Sequence, residues 1–333
     1  MVVGEREARH VLGLGAADLR RMYYLMLLTR AIYQRVDLLT RQGKVLFSLS
    51  SDGHEAAQVG SATALRPGKD FCLPYYRDLG VVLTLGMTPR EVMLNMFSRE
   101  GDPNSGGRQM PFHWGCSRLR IITHSSPVAT QIPHAVGIAL ASRIRDEDDV
   151  TVCYFGEGTT SKGDFHEGLN FAAVLKTPTV FICENNGYAI SVPQHKQMVV
   201  ADVAQRAQAY GIPGVTVDGL DVLEVYRATL DAVQRARRGE GPTLIEARVY
   251  RYGAHTSNDD DRRYRAREEV EEARKGDPVP RFRQYLLEGG ALDEATDQEV
   301  KRRVEAEVDD ATEYAEAQPH PDPKDVRLHV LAP

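Results

Sequence analysis

Two apolar runs in the middle of the chain constrain its fold more than any other feature. Residues 150–155 (VTVCYF) and 179–183 (TVFIC) carry few polar side chains, which is typical of strands buried on both faces of a parallel sheet. A helical pattern over residues 163–175 lies between them. The segment is therefore predicted to form a β-α-β unit with parallel strands and a right-handed crossover.

The alternation of strands and helices continues toward the C-terminus. Residues 215–217 and 244–250 are predicted strands, and residues 222–238 form a predicted helix between them. The expected fold class is therefore α/β, with a doubly wound parallel sheet. Apolar residues recur at helical spacing from Leu19 to Leu27, which predicts a helical N-terminal segment.

Three further segments are interpreted from their composition. Residues 44–80 are predicted to be rich in loops, because glycine and proline recur there, with Gly60 among them. Residues 101–118 are polar and irregular but contain aromatic residues, which favours an ordered, functional loop. Charge dominates after residue 258, so residues 276–333 are predicted to be a helical extension packed on a single domain that covers residues 1–333.

Composition excludes several functional classes. Acidic residues outnumber basic ones by 47 to 41, giving a net charge of −6, and no basic cluster contains interleaved aromatics, so no nucleic-acid partner is expected. No apolar run reaches about 18 residues, so no membrane span is expected. The first ten residues, MVVGEREARH, are typical of neither a signal nor a transit peptide, which predicts a cytoplasmic protein, or a mitochondrial one only if a transit peptide has been removed.

Polar residues follow each of the two central strands. Gly156, Glu157 and Gly158 come directly after the first strand, and Asn186 follows the second. The carboxyl ends of parallel strands meet at one edge of the sheet, where ligands bind. The glycines are expected to allow a sharp turn and a close approach to a ligand. Glu157, Asn186 and the backbone carbonyl of Tyr188 offer oxygens that suit Mg²⁺ and leave room for a diphosphate.

The spacing of these residues resembles the thiamine-diphosphate binding motif, in which most members carry Asp where this chain has Glu157. The surrounding segment, FGEGTTSKGDFHEGLNFAAVLKTPTVFICENNGYAIS, is similar to the α subunit of the dehydrogenase component of 2-oxo acid dehydrogenase complexes. The segments DGHEAAQVG, PYYRD, GRQMPFHWG, SSPVATQIPHAVG and YRYGAHTSNDDDRRYR extend the resemblance over nearly the whole chain. Residues 107–111 and 127–131 differ from those usual in pyruvate-specific members and favour the branched-chain branch.

The resemblance implies a thiamine-diphosphate-binding fold and a set of site residues. His255 would act in catalysis and contact the cofactor. The other cofactor contacts implied are Tyr76, Arg77, Ser126, Val128, Gly156, Glu157, Gly158, Thr159, Glu184 and Asn186. The implied metal ligands are Glu157, Asn186 and Tyr188 for Mg²⁺, and Ser125, Pro127, Thr130 and Gln131 for K⁺. The implied substrate pocket contains Phe47, Leu49, Tyr75 and Tyr76.

The resemblance also implies an activity and partners. The chain would decarboxylate branched-chain 2-oxo acids of the 3-methyl-2-oxobutanoate type and acylate the lipoyl group of an acyltransferase component. The glutamate that activates the cofactor in this family comes from a β subunit, and no equivalent is found in this sequence, which implies an α2β2 heterotetramer. The alternative within the class is a pyruvate or acetoin dehydrogenase α subunit.

Two readings from other classes are weaker. A nicotinamide-dependent oxidoreductase would need GxGxxG after its first strand, and Gly13 to Gly15 follow no convincing strand. A non-catalytic scaffold would have no reason to keep Glu157, Asn186 and Arg77 together.

Overall fold

The computed structural model describes residues 13–328. The first ten residues, on which the prediction about targeting peptides rests, lie outside the described residues. Five strands form one parallel sheet in the order β1-β2-β3-β7-β6, and two short strands form an antiparallel pair, β4-β5. The strands are β1 (Phe71–Leu73), β2 (Thr151–Gly156), β3 (Thr179–Asn185), β4 (Tyr188–Ala189), β5 (Val192–Pro193), β6 (Gly214–Asp218) and β7 (Thr243–Arg248).

Eleven α-helices lie within residues 13–328 and flank the sheet. They are α1 (Ala16–Arg41), α2 (Glu55–Thr63), α3 (Leu79–Thr84), α4 (Pro89–Met96), α5 (Gln131–Ile144), α6 (Gly163–Leu175), α7 (Gln194–Gln197), α8 (Val222–Arg237), α9 (Arg267–Ala273), α10 (Pro278–Glu288) and α11 (Glu294–Ala317).

The central strands are covered on both faces, as the apolar runs predict. In β2, Val152 and Tyr154 belong to a core shared with α1, α2, α4 and α8, whereas Cys153 and Phe155 belong to a second core shared with α5 and α6. Successive side chains of a strand point to opposite faces, so each face needs its own helical layer. The predicted doubly wound α/β architecture is therefore confirmed.

The prediction of a loop-rich segment over residues 44–80 is confirmed for residues 44–54, 64–70 and 74–78, which form no helix or strand, but it overlooked the regular elements between them. This segment contains helix α2 and the edge strand β1. Gly60 lies inside α2, where a Cβ atom would come within 2.5 Å of the carbonyl oxygen of Val222 on α8. The glycine therefore allows two helices to approach closely, and it is not the turn signal that the local sequence suggests.

The ends of several elements differ from the predicted ones. Strand β3 continues through Glu184 to Asn185, so these polar residues lie within the sheet. Strand β7 ends at Arg248 instead of residue 250. Helix α6 has the predicted bounds.

The charged C-terminal residues form helices α10 and α11, which pack on α1. Asp277 caps α10 and forms an ion pair with Arg30 of α1 at 2.7 Å. On α11, the buried Asp297 accepts a hydrogen bond from Tyr23 of α1 at 2.8 Å. Residues 329–333 lie outside the described residues, and the extent of one domain over residues 1–333 stays a prediction.

Among the helices of residues 13–328, none has the length and apolarity needed to cross a membrane. The four cysteines are buried and unpaired.

The close contact at Gly60 predicts the effect of a substitution. Gly60→Ala places a methyl group against the backbone of Val222, so we expect a loss of about 1–3 kcal/mol in the free energy of unfolding. Urea denaturation measures this. Gly137→Ala on α5 is the control, because a Cβ there meets nothing within 4 Å, and it should leave stability unchanged or raise it by up to about 1 kcal/mol. If both substitutions changed the free energy of unfolding equally, the close contact between Gly60 and Val222 would be contradicted.

The buried loop before α2 predicts a pH dependence of stability. Burial and the neighbouring Glu55 raise the pKa of Asp52 to about 7, against the opposing charges of Arg30 and Arg274. The folded state therefore favours the protonated carboxyl, and this contribution is full below pH 4 and is lost as the pH rises through 7. Between pH 5 and pH 8 the urea midpoint of the wild type should fall relative to that of Asp52→Asn. The exposed substitution Asp231→Asn on α8 should leave the wild-type profile unchanged, and parallel profiles for all three proteins would contradict the prediction.

Candidate active site

The polar ends of β2, β3 and β7 meet at one edge of the sheet. In the parallel register Gly156 lies beside Glu184, and Asn185 lies beside Arg248. The turn after β2 contacts the turn after β3, because Glu157 Oε2 accepts a hydrogen bond from the backbone N–H of Asn186 at 3.3 Å. The candidate active site is therefore built where three strands end.

Glu157 is a buried carboxylate with one free oxygen. Its side chain is 1% exposed, and its Oε1 has no hydrogen-bond partner. Burial raises the pKa of Glu157, while backbone N–H groups and the charges of Arg251 and Arg77 act in the opposite direction. A buried carboxylate with an unused oxygen is a suitable ligand for a cation. Asn186, buried beside it, turns its amide oxygen toward the N–H of Tyr188 at 3.2 Å.

No group of three or more His, Cys, Asp or Glu side chains within residues 13–328 could hold a metal ion. A metal at Glu157 would therefore have to take amide or carbonyl oxygens as further ligands, which Mg²⁺ accepts.

The expected turn at Gly156 and Gly158 is present, because residues 157–161 form a 3-10 helix directly after β2, but it does not depend on backbone angles that only glycine adopts. Gly156 has an extended backbone with φ of −86°, and neither residue has a positive φ. Gly158 is needed for close packing, because its Cβ would lie 2.9 Å from the Cβ of Ala189. A Cβ added at Gly156 would have its nearest neighbours 4.0 Å away, so the absence of a side chain leaves space beside Tyr75. Thr159 is buried in the same turn.

Arg77, Tyr76 and His255 form one cluster at this edge. The guanidinium of Arg77 is buried and donates to Ser50 O, to His255 O at 3.1 Å and to His255 Nδ1 at 2.8 Å. It also lies 5.3 Å from the ring centroid of Tyr76. Because arginine only donates, Nδ1 of His255 accepts and the neutral ring carries its proton on Nε2.

His255 is neutral near pH 7. Burial lowers the pKa of His255 to about 3, and the positive charges of Arg77 and Arg251 act in the same direction. The Nε2–H of His255 is therefore a neutral hydrogen-bond donor over the whole physiological range.

The sequence interpretation missed Arg251. This side chain is fully buried, and its Nε and Nη1 have no hydrogen-bond partner. Only Nη2 donates, to Ile190 O at 2.9 Å and to Tyr264 Oη at 3.3 Å. Burial and the charge of Arg77 lower the pKa of Arg251. Its position three residues after β7, at the same sheet edge, is the signal that could have found it.

The two buried arginines leave positive charge unbalanced. Within residues 13–328 neither Arg77 nor Arg251 forms an ion pair with a carboxylate. Both are close enough to Glu157 to act on its pKa. Buried charges are normally paired, so this arrangement suits an anion with several oxygens.

Glu184, expected among the cofactor contacts, is engaged by other protein side chains. It is fully buried, and its Oε2 accepts hydrogen bonds from His54 Nδ1 at 2.6 Å, Gln58 Nε2 at 3.1 Å and Tyr75 Oη at 3.2 Å. Although burial acts to raise it, the hydrogen bond and charge of His54 hold the pKa of Glu184 below its usual value. These bonds hold the Glu184 side chain in place and leave its Oε1 without a partner, and the cofactor contact stays a prediction.

The cluster around Glu184 holds the segment that carries Arg77. Gln58 also donates to the carbonyl of Arg77 at 3.0 Å. Burial and the neighbouring Glu184 raise the pKa of Asp78 well above its usual value. His54, Gln58 and Asp78 lie within sequence segments that carry the family resemblance, but the sequence interpretation assigned them no role.

Residues 125–131 bring several oxygens together. Ser125 Oγ contacts Thr130 Oγ1 and donates to Pro127 O at 2.9 Å. Gln131 donates to Tyr154 O at 3.1 Å, and its buried Oε1 has no partner. Ser126 is exposed, with its Oγ 2.8 Å from His113 Nε2, and Val128 is half-buried.

The expected substrate-pocket residues divide into two groups. Leu49 and Tyr75 are buried in the core, whereas Phe47 and Tyr76 are half-buried. The rings of Tyr75 and Tyr76 lie 5.0 Å apart, and the ring of Tyr76 lies 6.1 Å from that of His255. Of this group only Phe47 and Tyr76 keep accessible surface, and Tyr76 belongs to the cluster with Arg77 and His255.

Residues 250–257, which carry Arg251 and His255, are held by residues 48–53. The N–H groups of Tyr252 and Ser257 donate to the carbonyls of Asp52 at 3.2 Å and Ser48 at 2.9 Å. At Gly53 a Cβ would lie only 1.9 Å from Tyr250 O, and φ is +92°, so only glycine fits there.

Comparison with known proteins places this chain among close relatives. It is 53% identical over 325 residues to 2-oxoisovalerate dehydrogenase subunit alpha of Bacillus subtilis, covering 97% of this chain and 98% of that protein. It is 42% identical over 308 residues to 3-methyl-2-oxobutanoate dehydrogenase subunit alpha of Mycobacterium tuberculosis, covering 92% of this chain and 81% of that protein. The mitochondrial 2-oxoisovalerate dehydrogenase subunit alpha of Mus musculus is 41% identical over 305 residues, covering 91% of this chain and 68% of that protein.

The family described as dehydrogenase E1 component matches residues 23–324, which include the whole edge of the sheet described above. Because this match and the relatives cover nearly the full chain, the protein belongs to the dehydrogenase E1 component family.

Proposed function

We propose that this chain is the α subunit of a thiamine-diphosphate-dependent dehydrogenase that acts on branched-chain 2-oxo acids. The observation that carries the proposal is the pair of buried, unpaired guanidiniums of Arg77 and Arg251 close to the free oxygen of Glu157. Two cations and a buried carboxylate in one place suit a diphosphate bound together with a divalent metal ion. The printed names of the relatives supply the substrate class.

The residues present fit this cofactor. Arg77 and the free Nε and Nη1 of Arg251 would bind diphosphate oxygens, and Nε2–H of His255 would add a neutral donor. Glu157, Asn186 and the backbone carbonyl of Tyr188 would hold Mg²⁺. The remaining proposed contacts, which lie in the same turns and in residues 125–131, are Tyr76, Ser126, Val128, Gly156, Gly158 and Thr159.

When bound, thiamine diphosphate supplies the electron sink that decarboxylation of a 2-oxo acid requires. The chain's own residues orient and neutralise the anionic end of the cofactor. His255 stays neutral beside two arginines, so it contributes a hydrogen bond without adding positive charge. Tyr76, which belongs to this cluster, and Phe47 are both half-buried and would border the acyl group of the substrate.

A potassium site is also proposed at residues 125–131. Ser125, Thr130 and the carbonyl of Pro127 place three oxygens close together, and Gln131 adds a buried oxygen without a partner. A monovalent cation there would stabilise the loop that carries Ser126 and Val128.

A β subunit is proposed to complete the active site. The buried glutamates of residues 13–328 are Glu55, Glu157, Glu184 and Glu246. Glu55 is paired with Arg30, Glu184 is held by His54, and Glu246 accepts from Asn185. Glu157 and Glu184 each keep one carboxylate oxygen without a partner, and both lie at the sheet edge that carries the proposed diphosphate site. The activating glutamate would therefore come from a partner in an α2β2 assembly, which would pass the acyl group to a lipoyl-bearing acyltransferase.

Glu157 is the direct test of cofactor binding. Glu157→Ala should abolish Mg²⁺-dependent binding of thiamine diphosphate, because it removes the only carboxylate of the proposed metal site. Isothermal titration calorimetry on the protein assembled with its β subunit measures the affinity. Glu157→Asp, which restores the more common residue of the motif, is the control and should retain binding. Unchanged affinity of the alanine variant would refute the metal assignment.

Reconstitution tests the activity and the substrate. The chain alone should show no decarboxylation, whereas the chain with its β subunit should decarboxylate 3-methyl-2-oxobutanoate with a higher kcat/KM than pyruvate or acetoin. Steady-state assays with an artificial electron acceptor measure this. A preference for pyruvate or acetoin would select the alternative α-subunit identity, and robust activity without the β subunit would refute the shared active site.

A further inference from the structure

A carboxylate outside the proposed site connects two of its loops. Glu269 lies on helix α9, Arg267–Ala273, and is exposed. Tyr188 Oη lies 3.0 Å from both carboxylate oxygens of Glu269, and Tyr250 Oη donates to Oε1 at 2.8 Å. One side chain therefore accepts hydrogen bonds from two tyrosines.

The two tyrosines belong to different parts of the proposed site. Tyr188 follows Asn186 in the turn proposed to hold the metal ion, and its N–H donates to Asn186 Oδ1. Tyr250 directly precedes Arg251, in the segment that carries His255. A fixed distance between these tyrosines fixes the metal turn relative to the phosphate-binding side chains.

Arg265 strengthens this connection from the buried side. Its guanidinium lies 5.8 Å from the ring centroid of Tyr188 and 5.2 Å from that of Tyr250, so it contacts both rings. It also donates to the carbonyls of Arg251 and Gly253, and it pairs with Asp261 at 2.6 Å. The same segment is thus held by a buried cation on one side and by Glu269 on the other.

We propose that Glu269 is a positioning residue, which couples binding of the metal ion at Asn186–Tyr188 to the ordering of residues 250–265. Removing its carboxylate frees both tyrosine hydroxyls, so the two loops lose this hydrogen-bonded link and are held together only by the contacts of Arg265 and Arg251. The identity of the ligand rests on the proposed function. The bridge itself rests on the three oxygen–oxygen distances and on the position of Arg265.

The test uses Glu269→Ala in the full chain assembled with its β subunit. Side chains that orient metal ligands typically change metal affinity by 10–100-fold, so we expect a loss of at least about tenfold in Mg²⁺ affinity at a fixed concentration of thiamine diphosphate. Calorimetry measures the affinity. The control is Glu268→Ala, since Glu268 is exposed on the same helix and its side chain forms no hydrogen bond or ion pair with other described residues.

A second readout follows the ordering of the loop. Arg262 and Arg263 are about four-fifths exposed, so trypsin can cleave after them. Thiamine diphosphate with Mg²⁺ should slow this cleavage in the wild type and in Glu268→Ala, but not in Glu269→Ala. Unchanged protection in Glu269→Ala would overturn the proposed coupling.

A mutant cycle separates positioning from a general loss of structure. Tyr188→Phe and Tyr250→Phe should each weaken Mg²⁺ binding in the wild type and have no further effect in Glu269→Ala. Glu269→Gln keeps one acceptor oxygen and should recover part of the affinity. Full additivity of the effects on Mg²⁺ affinity would overturn the proposed bridge.

The same titrations separate this inference from the proposed function. If the wild-type assembly binds no thiamine diphosphate with Mg²⁺, the proposed function fails. If it binds and Glu269→Ala binds equally well, only this inference fails.

Discussion

The site depends on two buried positive charges that have no carboxylate partner. A guanidinium taken out of water is expensive unless it is hydrogen-bonded and paired. Arg77 is satisfied by backbone carbonyls and by the neutral ring of His255, whereas two nitrogens of Arg251 have no partner. Such an arrangement is stable only if the surrounding backbone is held firmly. It also leaves a local excess of positive charge, which favours a polyanionic ligand.

The surrounding contacts supply that rigidity. Behind Arg77, Glu184 is bound by His54, Gln58 and Tyr75, and Gln58 also reaches the carbonyl of Arg77. Residues 250–257 are bound to residues 48–53 through backbone hydrogen bonds. Groups held in place before a ligand arrives bind it without losing further conformational freedom. The buried polar clusters are therefore part of the binding apparatus, although none of them needs to touch the ligand.

Much of the fold was predictable from local patterns. The uninterrupted apolar runs identify β2 and β3, because a strand covered on both faces needs apolar side chains throughout. The helix between them is predicted with its correct bounds, because its pattern and its ends are local. Gly60 was interpreted wrongly as a loop signal because it serves a contact with Val222, more than 160 positions away in the chain, and no local pattern reports such a contact.

The sequence by itself determined that polar turns follow parallel strands, since strand direction places Glu157 and Asn186 at one edge. It also carried the family resemblance, through motifs spread along the chain. Only the tertiary structure decided which of these side chains face the site. Glu184 packs against residues 130 positions away, and Glu269 reaches Tyr188 across 81 positions. Side-chain orientation and burial at such distances arise from the packing of separate segments, which the order of residues along the chain does not display.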